Sequence, residues 1–108
     1  MLRIHQDVLE LQSDLRGVCA RIAERDRNLA DQLRRSAQSV ALNLGEGMAA
    51  SGGVRRRAYA TALREARECS VALEVARRWG VGGDVAAETV DRLDKVVATL
   101  WKLAAPAL

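Results

Sequence analysis

Near the start of the chain, Ile4, Val8, Leu11, Leu15, Val18 and Ile22 recur at alternating intervals of four and three, the spacing that lines one face of an α-helix. Gln6, Asp7, Glu10, Asp14, Arg21 and Arg25 fill the other faces, and the polar run Glu24–Asn28 ends the pattern. Gly17, inside this helix, is expected to admit a close neighbouring backbone. Asn28 is the expected N-cap of a second helix, whose seam is Leu29, Leu33, Ala37, Val40, Leu44 and Met48. Gly45 and Gly47 weaken its end, and Ser51-Gly52-Gly53 closes it as a loop.

The pattern predicts a third helix from about Val54 to Trp79. Its inward stripe is made of small residues: Ala58, Ala62, Ala66, Cys69, Leu73 and Ala76. Small residues at helical spacing let helix axes approach closely, so this helix is expected to lie centrally. Gly80-Val81-Gly82-Gly83 breaks the pattern, and Asp84 is the expected cap of a fourth helix. That helix has the seam Val90, Leu93, Val97, Leu100 and Ala104, and Pro106 ends it. Val96, Leu103, Trp101 and Leu9 fall off these seams and would leave apolar patches exposed. The pattern holds no repeat, no low-complexity tract and no period-two strand. Each predicted helix holds roughly 20–26 residues, or ~30–39 Å at 1.5 Å per residue. Short loops between rods of matched length make neighbours antiparallel. The expectation is therefore an all-α, up-down-up-down four-helix bundle formed by residues 1–108 as a single domain.

Composition agrees. Apolar residues make up 49% of the 108 and aromatics only 3%, with no Phe, so alanine carries much of the apolar share and favours helix over sheet. Charged residues at 29% argue against a membrane protein and against a disordered polyelectrolyte. No stretch approaches the roughly 18 apolar residues of a membrane span, and the N-terminus lacks the apolar segment of a signal peptide. Cys19 and Cys69 are too few for a disulfide framework, so reduced thiols and a cytoplasmic location are expected.

The residues that carry catalysis are scarce. His5 is the single histidine, so Cys69 or a serine would lack the base that activates a nucleophile. A carboxylate-bridged metal site in a bundle needs Glu-x-x-His on facing helices, and none occurs. Zinc needs clustered Cys and His, whereas Cys19 and Cys69 are far apart in helical patterns. Gly45-Glu46-Gly47 is too short for a dinucleotide fingerprint, and no Walker-type loop is present. The expectation is a protein that is not an enzyme and uses no cofactor or metal. Asn43 and Glu46 form a polar pair on one helical face beside small residues. They either satisfy groups inside the bundle and fix its register or belong to a small-molecule pocket.

Charge is concentrated rather than spread. The formal net charge is +3, but residues 54–80 hold seven arginines, Arg55, Arg56, Arg57, Arg64, Arg67, Arg77 and Arg78, against Glu65, Glu68 and Glu74. The other segments are nearly balanced, and only Lys95 and Lys102 are lysine. On a helical wheel Arg56, Arg57, Arg64 and Arg67 share a broad face, which Glu65 and Glu68 interrupt and where they can pair with Arg64 or with residues one turn away. Such a face can be a solvated, salt-bridged surface, a nucleic-acid patch or a docking site for an acidic protein. Tyr59 is the aromatic close by. Binding of nucleic acid here would thus rest on backbone and shape, with strong salt dependence and little sequence preference.

The second helix reads Leu29-Ala-Asp-Gln-Leu33-Arg34-Arg35-Ser36-Ala37-Gln38-Ser39-Val40-Ala41-Leu42-Asn43-Leu44-Gly45-Glu46-Gly47. It resembles the signature of the four helix bundle protein family, in which Leu-Arg-Arg-Ala leads to Ser-Ile and then Asn-Ile-Ala-Glu-Gly; Arg35, Asn43, Glu46 and Gly47 stand at its motif positions. These are the proteins encoded by intervening sequences of bacterial 23S rRNA genes, related to the accessory variability determinants of diversity-generating retroelements. The third helix, from Tyr59 through Leu63 to Ser70, is also similar to the family. Gly45 replaces the usual Ala, and Glu68-Cys69 stands where Gly-Ser is common, which suggests that this face meets solvent or a basic partner.

The resemblance implies a homopentamer around a central channel and, in the retroelement branch, a basic surface that engages RNA and a reverse transcriptase. Together these observations lead to an oligomeric helical adaptor that binds structured RNA, or less directly DNA or a ribonucleoprotein partner, through its arginines, with no membrane role. The alternative is a protein–protein interaction module whose arginines form intersubunit ion pairs, for instance with Asp84, Glu88, Asp91 and Asp94 at the start of the fourth helix.

Overall fold

A computed structural model describes residues 3–105. Four helices follow one another, α1 (Arg3–Ala23), α2 (Arg27–Ala49), α3 (Gly52–Trp79) and α4 (Ala87–Ala104). Each packs on the next, and α4 returns to α1. The cross-helix contacts show that neighbours run antiparallel: Gly47 lies against Tyr59 and Ser36 bonds to Glu68 along α2 and α3, while Gly82 touches Ile22 and Arg92 pairs with Asp14 along the returning side. The result is an all-α, up-down-up-down bundle measuring 43 × 23 × 22 Å.

The seam of α1 is as expected, with Ile4, Val8, Leu11, Leu15, Val18 and Ile22 all buried. In α2, Leu33, Ala37, Val40 and Leu44 are buried; Leu29 and Met48 are half-buried, and Ala30, Ser36 and Gly47 join the core. The small stripe of α3 is buried except for half-buried Leu73, and Tyr59 and Ala72 are added to it. This stripe seats α3 closely against α2 and α4, at a corner of the square rather than at its centre.

In α4 the buried face is turned. Val96 is only 1% exposed, although its position predicted an outward side chain, and Thr89 takes the place expected for Val90. Leu93 and Leu100 belong to both seams, so spacing alone does not choose between them. Arg92 makes the choice. Its guanidinium reaches Glu10 at 3.2 Å and also pairs with Asp14, which draws the Arg92–Val96 side of α4 onto α1. Leu103 is half-buried, whereas Leu9 and Trp101 are exposed as expected.

The helix ends differ from the pattern for local reasons. Asp26, not Asn28, caps α2, its carboxylate accepting a hydrogen bond from the Leu29 amide at 3.0 Å. A charged acceptor matches the positive end of the helix dipole better than an amide does. Gly52 and Gly53 lie in the first turn of α3 instead of a loop, with Ser51 at the N-cap. Asp84 does not cap α4; the helix starts three positions further on, after Ala86. Gly82 holds φ +84° against Ile22, where a Cβ would come within 2.5 Å of a side-chain carbon, and Arg21 Nε donates to its carbonyl at 2.9 Å. This anchored loop keeps residues 80–86 out of the helix, with Gly80, Gly82 and Gly83 at positive φ, and shortens α4 to 18 residues, while α3 reaches 28. Gly17 is exposed and a Cβ there would meet only the Arg21 side chain, so no neighbouring backbone approaches it. Pro106 lies outside the described residues.

Candidate nucleic-acid interface on α3

The seven arginines of α3 fall into three groups. Arg55 turns back on α2, its Nε donating to the carbonyls of Gly47 at 3.0 Å and Ala50 at 2.8 Å. It therefore adds a donor to two carbonyls at the end of α2, that of Gly47 also accepting from the Ala50 amide at 3.3 Å. At the other end, Arg77 and Arg78 grip Glu74, with contacts of 2.7 and 2.9 Å. Those two bonds hold the Glu74 carboxyl down at about 2, and Glu74 raises Arg77 in return. All three side chains are well exposed, so the cluster belongs to the last turns of α3, where basic residues suit the helix dipole.

Arg56, Arg57, Arg64 and Arg67 form the third group. All are exposed and none is paired with a carboxylate among the described residues. Glu65 and Glu68 do not neutralise them. Glu68 instead accepts a hydrogen bond from the buried Ser36 hydroxyl at 3.2 Å, joining α3 to α2. A glutamate at this position thus meets a polar group inside the bundle on one side and a groove on the other. Arg56 and Arg57 stand where the first turn of α3 passes the end of α4, in a shallow cleft that Gly53, Ala60 and Ala104 complete. Arg64 and Arg67 flank the α2–α3 groove, about 720 Å³ in volume, whose apolar side chains include Leu29, Leu63, Val71 and Val75.

Tyr59 is not available for stacking on a base. It is 5% exposed and lies over Gly47, where a Cβ would come within 2.5 Å of the ring. Gly47 is therefore required by the close passage of α2 over this ring. Asn43 donates to the Ser39 carbonyl at 2.9 Å and its hydroxyl at 3.0 Å, both within α2. Glu46 and Arg35 are exposed, so the Asn43–Glu46 pair does not meet a partner inside the bundle, and neither residue lines the clefts described above. Of the motif residues, Gly47 has the plainest packing role.

The two thiols are core or near-core groups. Burial is the main cause that pushes Cys69 up to about 12, helped by Glu65, and burial also raises Cys19. Both stay protonated at neutral pH, the unreactive form. Among the described residues no group of His, Cys, Asp and Glu could hold a metal ion, and no helix is long and apolar enough to cross a membrane.

The groove was not visible in the sequence. Val71 and Val75, one turn apart and off the inward stripe, are the signal that could have pointed to it; Asn28 and Gln32 contribute to its α2 wall.

The family model for 23S rRNA-intervening sequence proteins matches residues 1–102. The chain belongs to that family. Among solved structures, this member of the 23S rRNA-intervening sequence family is similar to a protein of unknown function from the S23 ribosomal protein family of Bacteroides thetaiotaomicron VPI-5482. The TM-score is 0.80 at 17% identity, over 95% of this chain and 99% of the other, a likeness of fold. No curated protein is significantly similar to it.

Proposed function

We infer that this protein is a non-enzymatic cytoplasmic adaptor that binds structured RNA, alone or within a ribonucleoprotein, through the exposed arginines of α3, led by Arg56 and Arg57. The observation that carries the reading is the division of labour among the seven arginines: three are engaged by Gly47, Ala50 and Glu74, and four present exposed guanidinium groups with no carboxylate partner among the described residues. Guanidinium forks suit phosphate oxygens, and the stretch from Arg56 to Arg67, whose aromatic Tyr59 is buried, is suited to reading backbone and shape, not base identity. The family's link to rRNA genes supports RNA as the anion.

Replacement of both Arg56 and Arg57 by Glu tests this in a filter-binding measurement with a structured RNA. Binding should weaken at least tenfold while helicity by circular dichroism stays the same. Unchanged affinity in a folded variant would overturn the reading.

A further inference from the structure

Among the described residues Trp79 is the most exposed large apolar side chain, at 79%, and the stop of α3 does not depend on it. The Gly80 amide donates to the Arg77 carbonyl at 3.1 Å and the Val81 amide to the Ala76 carbonyl at 3.0 Å. These are the paired bonds of a Schellman stop, with Gly80 in the left-handed conformation. The apolar contact that accompanies such a stop falls to Val81, which packs against the core, and Gly82 then lies against Ile22. The chain thus turns inward directly after Trp79. It leaves the indole uncovered on a backbone that these bonds fix.

Two rows of α3 end at this indole. Arg56, Arg67 and Arg78 stand eleven residues apart, close to three helical turns, so they form one nearly straight row ~33 Å long at 1.5 Å rise per residue. Beside it Val71, Val75 and Trp79 follow at intervals of four, all exposed. Glu74 takes the Nε donor of Arg78, and the Nε and one terminal nitrogen of Arg77. Both guanidinium groups therefore keep terminal N–H groups for a second acceptor, and the three side chains together remain positive next to the indole.

We propose that α3 holds RNA where paired nucleotides give way to unpaired ones: the arginine row follows the backbone, and the indole of Trp79 stacks on an unpaired base at the end of that row. This rests on the RNA reading above and deepens it by naming the form of RNA bound. Bases inside a duplex are stacked on one another, whereas a loop or a single-stranded end offers a free face. An aromatic ring accepts any such face, so stacking adds affinity with little sequence preference. The positive groups beside Trp79 suit the phosphate of the same nucleotide. The Arg56–Arg67 stretch has no platform of this kind, because Tyr59 is buried. It suits the duplex, and Trp79 suits the strand that leaves it.

Two RNAs test the proposal: a blunt hairpin, and the same hairpin with single-stranded adenine tails on both ends. The tails should raise the affinity of the unaltered chain about tenfold, the ordinary effect of stacking one base. Trp79→Ala should lose that gain and bind the blunt hairpin as before, and Trp79→Tyr should keep most of it. Circular dichroism verifies that both variants fold. In a Trp101→Phe chain Trp79 is the single tryptophan; there the tailed hairpin should quench the indole emission by about half or more, and the blunt one should leave it nearly unchanged.

Equal affinity of the unaltered chain for the two RNAs, an equal loss on both in Trp79→Ala, or emission that the tails do not quench would overturn the proposal. The Arg56→Glu/Arg57→Glu chain separates it from the RNA reading: both hairpins should bind that chain more weakly, with the advantage of the tails retained. Undiminished binding there with the tail effect intact would overturn the role of those arginines and support the stack. The expected loss without any tail effect would do the reverse, and a chain that binds neither RNA would overturn both.

Discussion

Gly47 and Gly45 sit one turn-half apart in α2 yet face opposite demands. A Cβ at Gly47 would enter the Tyr59 ring, whereas at Gly45 nothing lies within 4 Å. Gly47→Ala should therefore destabilise the protein by about 1–3 kcal/mol through overpacking. Gly45→Ala should stabilise it by about 0.5–1 kcal/mol, the ordinary gain of alanine over glycine inside a helix. Thermal unfolding of the two variants checks both signs. At Glu74 the carboxyl is depressed by Arg77 and Arg78. Its contribution to the last turns of α3 is thus fully present above its ordinary value of 4.5 and disappears as pH falls through about 2. Carboxyl chemical shifts followed by NMR from pH 6 to 1.5 should show Glu74 titrating last among the glutamates. The residue scale was partly legible in sequence. The motif glycine stands out in the sequence, but the ring that demands it does not, because Tyr59 lies just after three consecutive arginines. Only the backbone crossing of α2 and α3 shows that it points inward.

At the scale of elements, the helices and three of the four seams follow from periodicity alone, since a stripe repeating every three or four residues has one way to hide from water. The fourth seam had two solutions sharing Leu93 and Leu100, and an ion pair from Arg92 to α1 selected between them. Arg92→Ala should loosen α4 first, seen as faster amide exchange in that helix than in α2, because two carboxylates on α1 lose their partner. Helix ends were legible only as regions. Capping depends on which acceptor reaches a free amide, and Asp26 does so while Asn28 stands two residues too late, already inside the helix. Asp26→Ala should cost about 1 kcal/mol and Asn28→Ala much less, as measured by denaturant midpoints.

For the whole molecule, sequence concentrated the positive charge on α3 without saying how much of it was free. That depended on long-range geometry: Arg55 reaches the end of α2, Arg77 and Arg78 close on Glu74, and Glu68 turns to Ser36 and not to an arginine. What remains is an open cationic strip from Arg56 to Arg67. Apolar positions left outward on α3 and α4 accompany it, which monomers of this size seldom tolerate without a use.

The central claim is that this strip meets the phosphates of RNA, and the slope of log affinity against log salt measures it most directly. Ion release from RNA gives roughly −0.7 to −0.9 per phosphate neutralised. The account predicts a slope of about −2 or steeper for the unaltered protein, flattened in the Arg56→Glu/Arg57→Glu chain. An RNA affinity that stays constant from low to moderate salt would contradict it.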